Sequence, residues 1–211
     1  MLLPNVAGEC LLMKWILDLC SGFGGASEYF TLEENWVVIR IENNPLLSHV
    51  EHTLILDVEN WREWLPPLLD AHGHPTIVWA SPPCTEFSLG YSAPQAIAAR
   101  LKQKYQPNMR ILRACLQIIE FCNPQWFVIE NVHGSKKWFE PEGVKLRQTI
   151  GPFQLYGEFP HLDVGNFTHK KNDGGKWSDD PLRNNYRAIV PIEISQALWR
   201  STMGQTKLLD F

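Results

Sequence analysis

From Trp15 to Val132, short apolar runs alternate with segments whose apolar residues recur at helical spacing. The runs at 15–19, 36–41, 54–56, 76–80 and 126–129 are rich in β-branched or aromatic residues and bounded by turn-forming or acidic ones, which predicts five strands. Between them, 26–34, 45–52, 61–69 and 107–121 read as helices. The pattern is sharpest in the last, where Ile111, Leu112, Cys115, Ile118, Ile119 and Cys122 share one face, so both cysteines are most simply core. Strand and helix in alternation imply an α/β fold built on a doubly wound, mostly parallel sheet with right-handed crossovers. Pro191 is a natural first-turn residue, and a closing helix is expected at 191–203.

A chain of 211 residues with 45% hydrophobic content is sized for a single domain. It divides into a core at 15–135, a reduced substrate-facing region at 136–190 and the closing helix. The formal charge of −4 does not announce a polyanion partner, so any nucleic-acid contact must use a local patch. The five cysteines, Cys10, Cys20, Cys84, Cys115 and Cys122, include no Cys-x-x-Cys pair and no metal-ligand spacing. No metal site is expected, and a reduced intracellular setting fits. The first residues lack the basic start of a signal peptide, and no apolar run approaches the ~18 residues of a membrane helix. A soluble cytoplasmic protein without a membrane partner is the expectation; oligomeric state is not legible.

Candidate chemistry gathers at the predicted strand ends. Cys84 follows the fourth strand through Ser81-Pro82-Pro83, a stiff elbow at the sheet edge where open α/β folds bind ligands. Taken alone, Cys84 reads most simply as a small buried hydrophobe; its neighbours reverse that reading. Asp18 through Ala26, including Gly22, Gly24 and Gly25, forms a Gly-rich turn after the first strand, placed as a cofactor loop, although Ser27 breaks the dinucleotide fingerprint. Glu42 ends the second strand where such folds hold ribose hydroxyls, and Asp57 ends the third; each is also readable as a solvated terminus or a helix cap. Glu130 directly follows the fifth strand, where partial desolvation raises a carboxyl pKa and suits it to share a proton.

Pro82-Pro83-Cys84, Glu130-Asn131-Val132 and Asp18-Leu19-Cys20-Ser21-Gly22-Phe23-Gly24-Gly25, in their relative order, resemble the cytosine-C5 methyltransferase family over roughly 15–135. The resemblance implies a Rossmann-like enzyme using S-adenosylmethionine, in which the Cys84 thiolate attacks C6 of cytosine and Glu130 protonates N3. It assigns the cofactor to Asp18, Cys20, Gly22, Phe23, Gly24, Gly25, Glu42, Asp57, Val58, Ser81 and Pro82. Asn131 is assigned to the substrate, with Arg183 and Arg187 as the nearest counterparts of the family's cytosine-binding arginines. DNA is the first partner it implies, as in modification enzymes of bacteria and their phages, some of which have a restriction partner. The same chemistry on RNA or a free cytidine nucleotide, and a non-catalytic binding relative, stay open. The base that removes the C5 proton is not identified.

The departures are specific. Cys20 stands where an aromatic begins the family's cofactor loop, which leaves adenine stacking to Phe23 or another aromatic, and Asn43 follows Glu42 in place of a bulky residue. The family's Gln-x-Arg-x-Arg strand has no clear copy, and the usual Gly-Asn before the closing helix is missing. The stretch 134–186 is too short for a sizeable recognition domain. Within it, 169–177 and Lys136-Lys137-Trp138 read either as contacts to phosphates and bases or as solvated surface. Segment 85–106, with Tyr91, Arg100, Lys102 and Lys104, reads as a lid over a bound base and is expected to move.

Overall fold

The computed structural model describes residues 13–168 and 179–203. In chain order the elements are β1 (Lys14–Leu19), β2 (Trp36–Glu42), β3 (Thr53–Ile55), α1 (Trp61–His72), β4 (Ile77–Ala80), α2 (Pro94–Arg100), α3 (Arg110–Cys122), β5 (Trp126–Asn131), α4 (Lys136–Phe139), β6 (Leu146–Ile150), β7 (Phe153–Glu158), α5 (Arg183–Arg187) and α6 (Ile192–Met203). The strands form one sheet in the order β3-β2-β1-β4-β5-β7-β6. β1 to β5 run parallel, and β7 pairs antiparallel with β5 and β6. This is the doubly wound, Rossmann-like sheet expected. Its strand order reverses between β1 and β4, the point beyond whose carboxyl ends open α/β sheets bind their ligands.

Strand alternation fills both faces. Leu17, Leu19, Ile39, Ile41, Val78 and Ile129 face one way and pack with Trp61, Trp64 and Leu65 of α1 and Leu112, Cys115 and Ile118 of α3. Ile16, Trp36, Val38, Trp79 and Val128 face the other way, against Phe30 and, on α6, Ile194, Ala197 and Leu198. Apolar burial on both faces explains why the parallel strands read as near-continuous hydrophobic runs.

Several expectations are corrected. The helix expected at 26–34 is a tighter 3-10 segment, Gly25–Leu32. The one expected at 45–52 shrinks to a single 3-10 turn, Pro45–Leu47, and His52, with a positive φ of 62°, cannot continue a helix into β3. β5 runs on through Asn131, so Glu130 lies inside a strand and not beyond one. Two strands that were not expected, β6 and β7 within 136–190, extend the sheet beyond β5. Separately from these corrections, α2 lies within segment 85–106, the stretch read as a lid. The loop expected to touch phosphates at 169–177 lies outside the described residues.

Candidate functional site

β4 and β5 are adjacent, with Ala80 opposite Ile129, so the register carries Ser81 alongside Glu130. The Ser81 hydroxyl hydrogen-bonds the Glu130 carboxyl and also accepts the Trp79 indole N–H at 2.9 Å. Asn131 Nδ2 donates to the Pro82 carbonyl at 2.8 Å, fastening the Pro-Pro elbow to the end of β5. Cys84 opens a 3-10 turn, Cys84–Glu86, directly after that elbow, and its side chain is partly exposed. Thus the two strand ends that carry Cys84 and Glu130 are bound to each other through Ser81, Pro82 and Asn131.

Desolvation dominates the chemistry of Glu130. Burial pushes its pKa up to about 7, although the Ser81 hydrogen bond works in the opposite direction. A carboxyl group poised near neutrality can give and take a proton at working pH. Asn131, expected to contact substrate, is buried at 1% exposure, with its side-chain oxygen accepting the Val132 N–H at 2.9 Å. Its hydrogen bond to the Pro82 carbonyl ties the two strand ends together.

The Gly-rich turn sits on the neighbouring strand end. Asp18 and Arg40 are register partners on β1 and β2, and their side chains point toward the Gly turn and α6 face. Ser27 Oγ donates to Asp18 Oδ2 at 2.7 Å and accepts from Arg40 Nε at 2.9 Å. Arg40 Nη2 donates to the Gly24 carbonyl at 3.1 Å and to the Glu28 carboxylate at 2.9 Å. Gly24 is fixed as glycine twice over: its φ is +76°, and a Cβ there would lie 2.3 Å from the Arg40 guanidinium carbon. The sequence reading missed Arg40; the signal was an arginine amid apolar strand residues, directly across from Asp18.

Glu42 accepts the Gly22 N–H at 2.9 Å and the Asn44 N–H at 3.0 Å, so it braces the turn from below. Asp57 caps the turn Val58–Asn60 by accepting the Glu59 N–H at 2.9 Å, the helix-cap alternative, and Val58 is buried in the core with Trp61 and Trp64. Two buried atoms beside the Gly turn, Asp18 Oδ1 and Ser21 Oγ, have no hydrogen-bond partner among the described residues. Burial pushes Asp18 up to about 6, against the Ser27 hydrogen bond and the Arg40 charge. Orphaned buried polar atoms are rare. A Gly turn, a braced carboxylate and two unsatisfied oxygens fit a polar ligand of the expected kind.

Two cofactor-loop expectations change. Cys20 adopts a left-handed conformation and turns its thiol to Cys115 of α3; that hydrogen bond, with burial, pushes the thiol well up, leaving only the backbone of Cys20 for the crevice. Phe23 stacks on Tyr186 of α5, with ring centres 4.5 Å apart and planes at 24°. Arg183 and Arg187 share α5 with Tyr186, so their helix covers the Gly turn, on the side expected for the cofactor. Two surface cavities lie elsewhere: one of about 480 Å³ lined by Val38, His49, His52, Leu54, Leu68 and His72, and one of about 310 Å³ beside β6. Among the described residues no group of three or more His, Cys, Asp or Glu is placed to hold a metal, and no helix is long and apolar enough to cross a membrane.

No family model matches the chain, and no curated protein matches it. Solved structures do resemble it. A protein described as a DNA modification methyltransferase encoded within an E. coli prophage aligns at 16% identity and TM-score 0.47, covering 69% of this chain and 46% of that one. This chain therefore spans less than half of that relative. A fibrillarin/Nop5p complex aligns at 11% identity and TM-score 0.42, covering 73% of this chain and 78% of that one. A human methyltransferase 10 domain containing protein aligns at 11% and 0.39, covering 72% and 73%.

Proposed function

We propose that the protein transfers a methyl group from S-adenosylmethionine to C5 of cytosine in DNA through a covalent adduct of Cys84. The observation that supports this reading is that Cys84 and Glu130 are carried by neighbouring strand ends fastened together through Ser81, Pro82 and Asn131, with the Gly turn at the end of the next strand, β1. Asp18, Ser21, the Gly22–Gly25 backbone and Glu42 would hold the cofactor. When bound, it supplies an electrophilic methyl group and leaves as a neutral thioether.

C5 of cytosine is a weak nucleophile, and the residues of this chain raise its electron density. The Cys84 sulfur adds to C6 while Glu130 donates its proton to N3, so attack creates a neutral enamine in place of an unstabilised anion. A carboxyl near pKa 7 carries that proton at neutral pH. After C5 is methylated, a base takes the C5 proton, the C6–S bond breaks, the thiolate departs and Glu130 recovers the N3 proton. The adduct itself is the test. DNA carrying 5-fluorocytosine, which has no C5 proton to lose, is expected to trap a covalent complex in the presence of cofactor, seen as a shifted band under denaturing conditions. Cys84→Ser abolishes that band; a complex that survives in the variant rules Cys84 out as nucleophile.

A further inference from the structure

The chain that leaves the Cys84 turn returns to it. The Tyr105 hydroxyl donates to the Glu86 carboxylate at 2.8 Å and to its carbonyl at 2.9 Å, and the Asn108 N–H reaches the same carboxylate at 3.1 Å. On α2, buried Gln95 accepts the Trp138 indole N–H at 2.7 Å, which fastens the flap to α4. Held at its ends and middle, this flap nevertheless shows water large apolar side chains: Tyr91 is 82% exposed, Leu89 64% and Leu101 60%. The Arg100 guanidinium lies 4.0 Å from the centre of the Tyr91 ring. No Asp or Glu occurs from Phe87 to Ile119. Arg110 and Arg113 in that stretch pair with Glu59 and Glu142, whereas Arg100, Lys102 and Lys104 are exposed and form no ion pair among the described residues. A protein of net charge −4 therefore carries a cationic, aromatic surface on the segment that begins at its candidate nucleophile.

We infer that this flap is a stacking platform for single-stranded nucleic acid, so that the target cytosine arrives in an unpaired strand. The inference rests on reading Cys84 as the point of attack. A base adjoining the target stacks on Tyr91, and Arg100, Lys102 and Lys104 meet the phosphates. Bases in a duplex have both faces covered by their neighbours and offer nothing to an exposed ring. Reading a duplex through its groove requires an element long enough to enter it, and α2 is only seven residues. A free nucleotide has one base and one phosphate group, too little to occupy a ring, two leucines and three cations. Residues 146–158 form β6 and β7 and complete the sheet edge. A strand that is already unpaired also spares the unstacking cost of flipping a base, a few kcal/mol.

Fluorescence anisotropy with the full chain tests this. Labelled oligonucleotides of one cytosine-containing sequence are presented as single-stranded DNA, single-stranded RNA and duplex DNA, with dCMP as competitor, in wild type, Cys84→Ser, Tyr91→Ala and Lys102→Ala/Lys104→Ala. We expect a single strand to bind at least tenfold more tightly than the duplex, dCMP not to compete, and Tyr91→Ala to weaken strand binding by about tenfold. The DNA and RNA arms decide which strand it prefers. The double lysine variant should flatten the slope of log K against log salt by about 1.4, the loss of two phosphate contacts. Equal or tighter duplex binding, or undiminished binding by Tyr91→Ala, overturns the inference. Cys84→Ser keeps the two readings apart: strand binding that depends on Tyr91 without any 5-fluorocytosine adduct sinks the proposed chemistry alone. Adduct formation on duplex DNA that ignores Tyr91 sinks the platform alone.

Discussion

At the scale of single residues, Glu130 connects fold to pH. Its carboxyl titrates near 7 in the fold and near 4.5 when unfolded. The folded state therefore binds the extra proton between those values. Stability from this group is fully present below about pH 4.5 and is lost as pH rises through about 7. Glu130→Gln removes the titration, so the variant should gain stability relative to wild type on going from pH 5 to pH 8, measured as the difference in Tm at the two values. Methyl transfer should move the other way: the wild-type rate falls above about pH 7, and the Gln variant, unable to protonate N3, is slower by about 10²–10⁴ with no such decline. A wild-type rate flat across pH 6–8 would remove Glu130 from the proton transfer. Cys84 and Glu130 were legible in the sequence because each follows or ends an apolar run with a short, specific motif. The direction of the Cys20 thiol was not legible, since a positive φ redirects the side chain and nothing in the composition announces it.

Among elements, the Gly turn shows what alternation alone cannot give. The five parallel strands were readable because burial on both faces forces near-continuous apolar runs. The network that holds the turn depends on register, which places Arg40 across from Asp18 and lets one guanidinium reach Ser27, Gly24, Glu28 and the Glu51 carbonyl. Arg40 lowers the pKa of Asp18, so their attraction stabilises the fold only where Asp18 is ionised, above about pH 6. Arg40→Met should cost about 3–5 kcal/mol at pH 8, in the range for breaking a buried charge pair, and clearly less at pH 5. Urea unfolding at both values measures the difference. In the same variant calorimetry should show weakened S-adenosylmethionine binding, because the Gly24 carbonyl loses its donor and the turn its shape. Unchanged affinity would place the cofactor away from this turn.

Across the whole molecule, the least readable part is the one that completes the sheet. β6, with Leu146-Arg147-Gln148-Thr149-Ile150, mixes polar and apolar residues, and β7 carries Gly157 near its end, so neither produced a strand signal. Their place follows from pairing: β7 lies antiparallel against β5, with Leu155 opposite Glu130 and Gly157 opposite Val128. This pairing covers the strand that carries the candidate acid, so the sheet edge and the acidity of Glu130 are linked. Gly157 is the sensitive point. Its φ is +117°, and a Cβ there would lie 2.6 Å from the Phe127 carbonyl oxygen, backbone that cannot swing aside. Gly157→Val should therefore loosen β7 from β5 and cost more than about 2 kcal/mol in urea unfolding. With that cover loosened, water reaches Glu130 and its pKa drops toward 4.5, so the pH at which methyl transfer falls to half should shift downward. A variant with lowered stability but an unmoved pH midpoint would show that the desolvation of Glu130 comes from β4 and the Ser81 elbow instead.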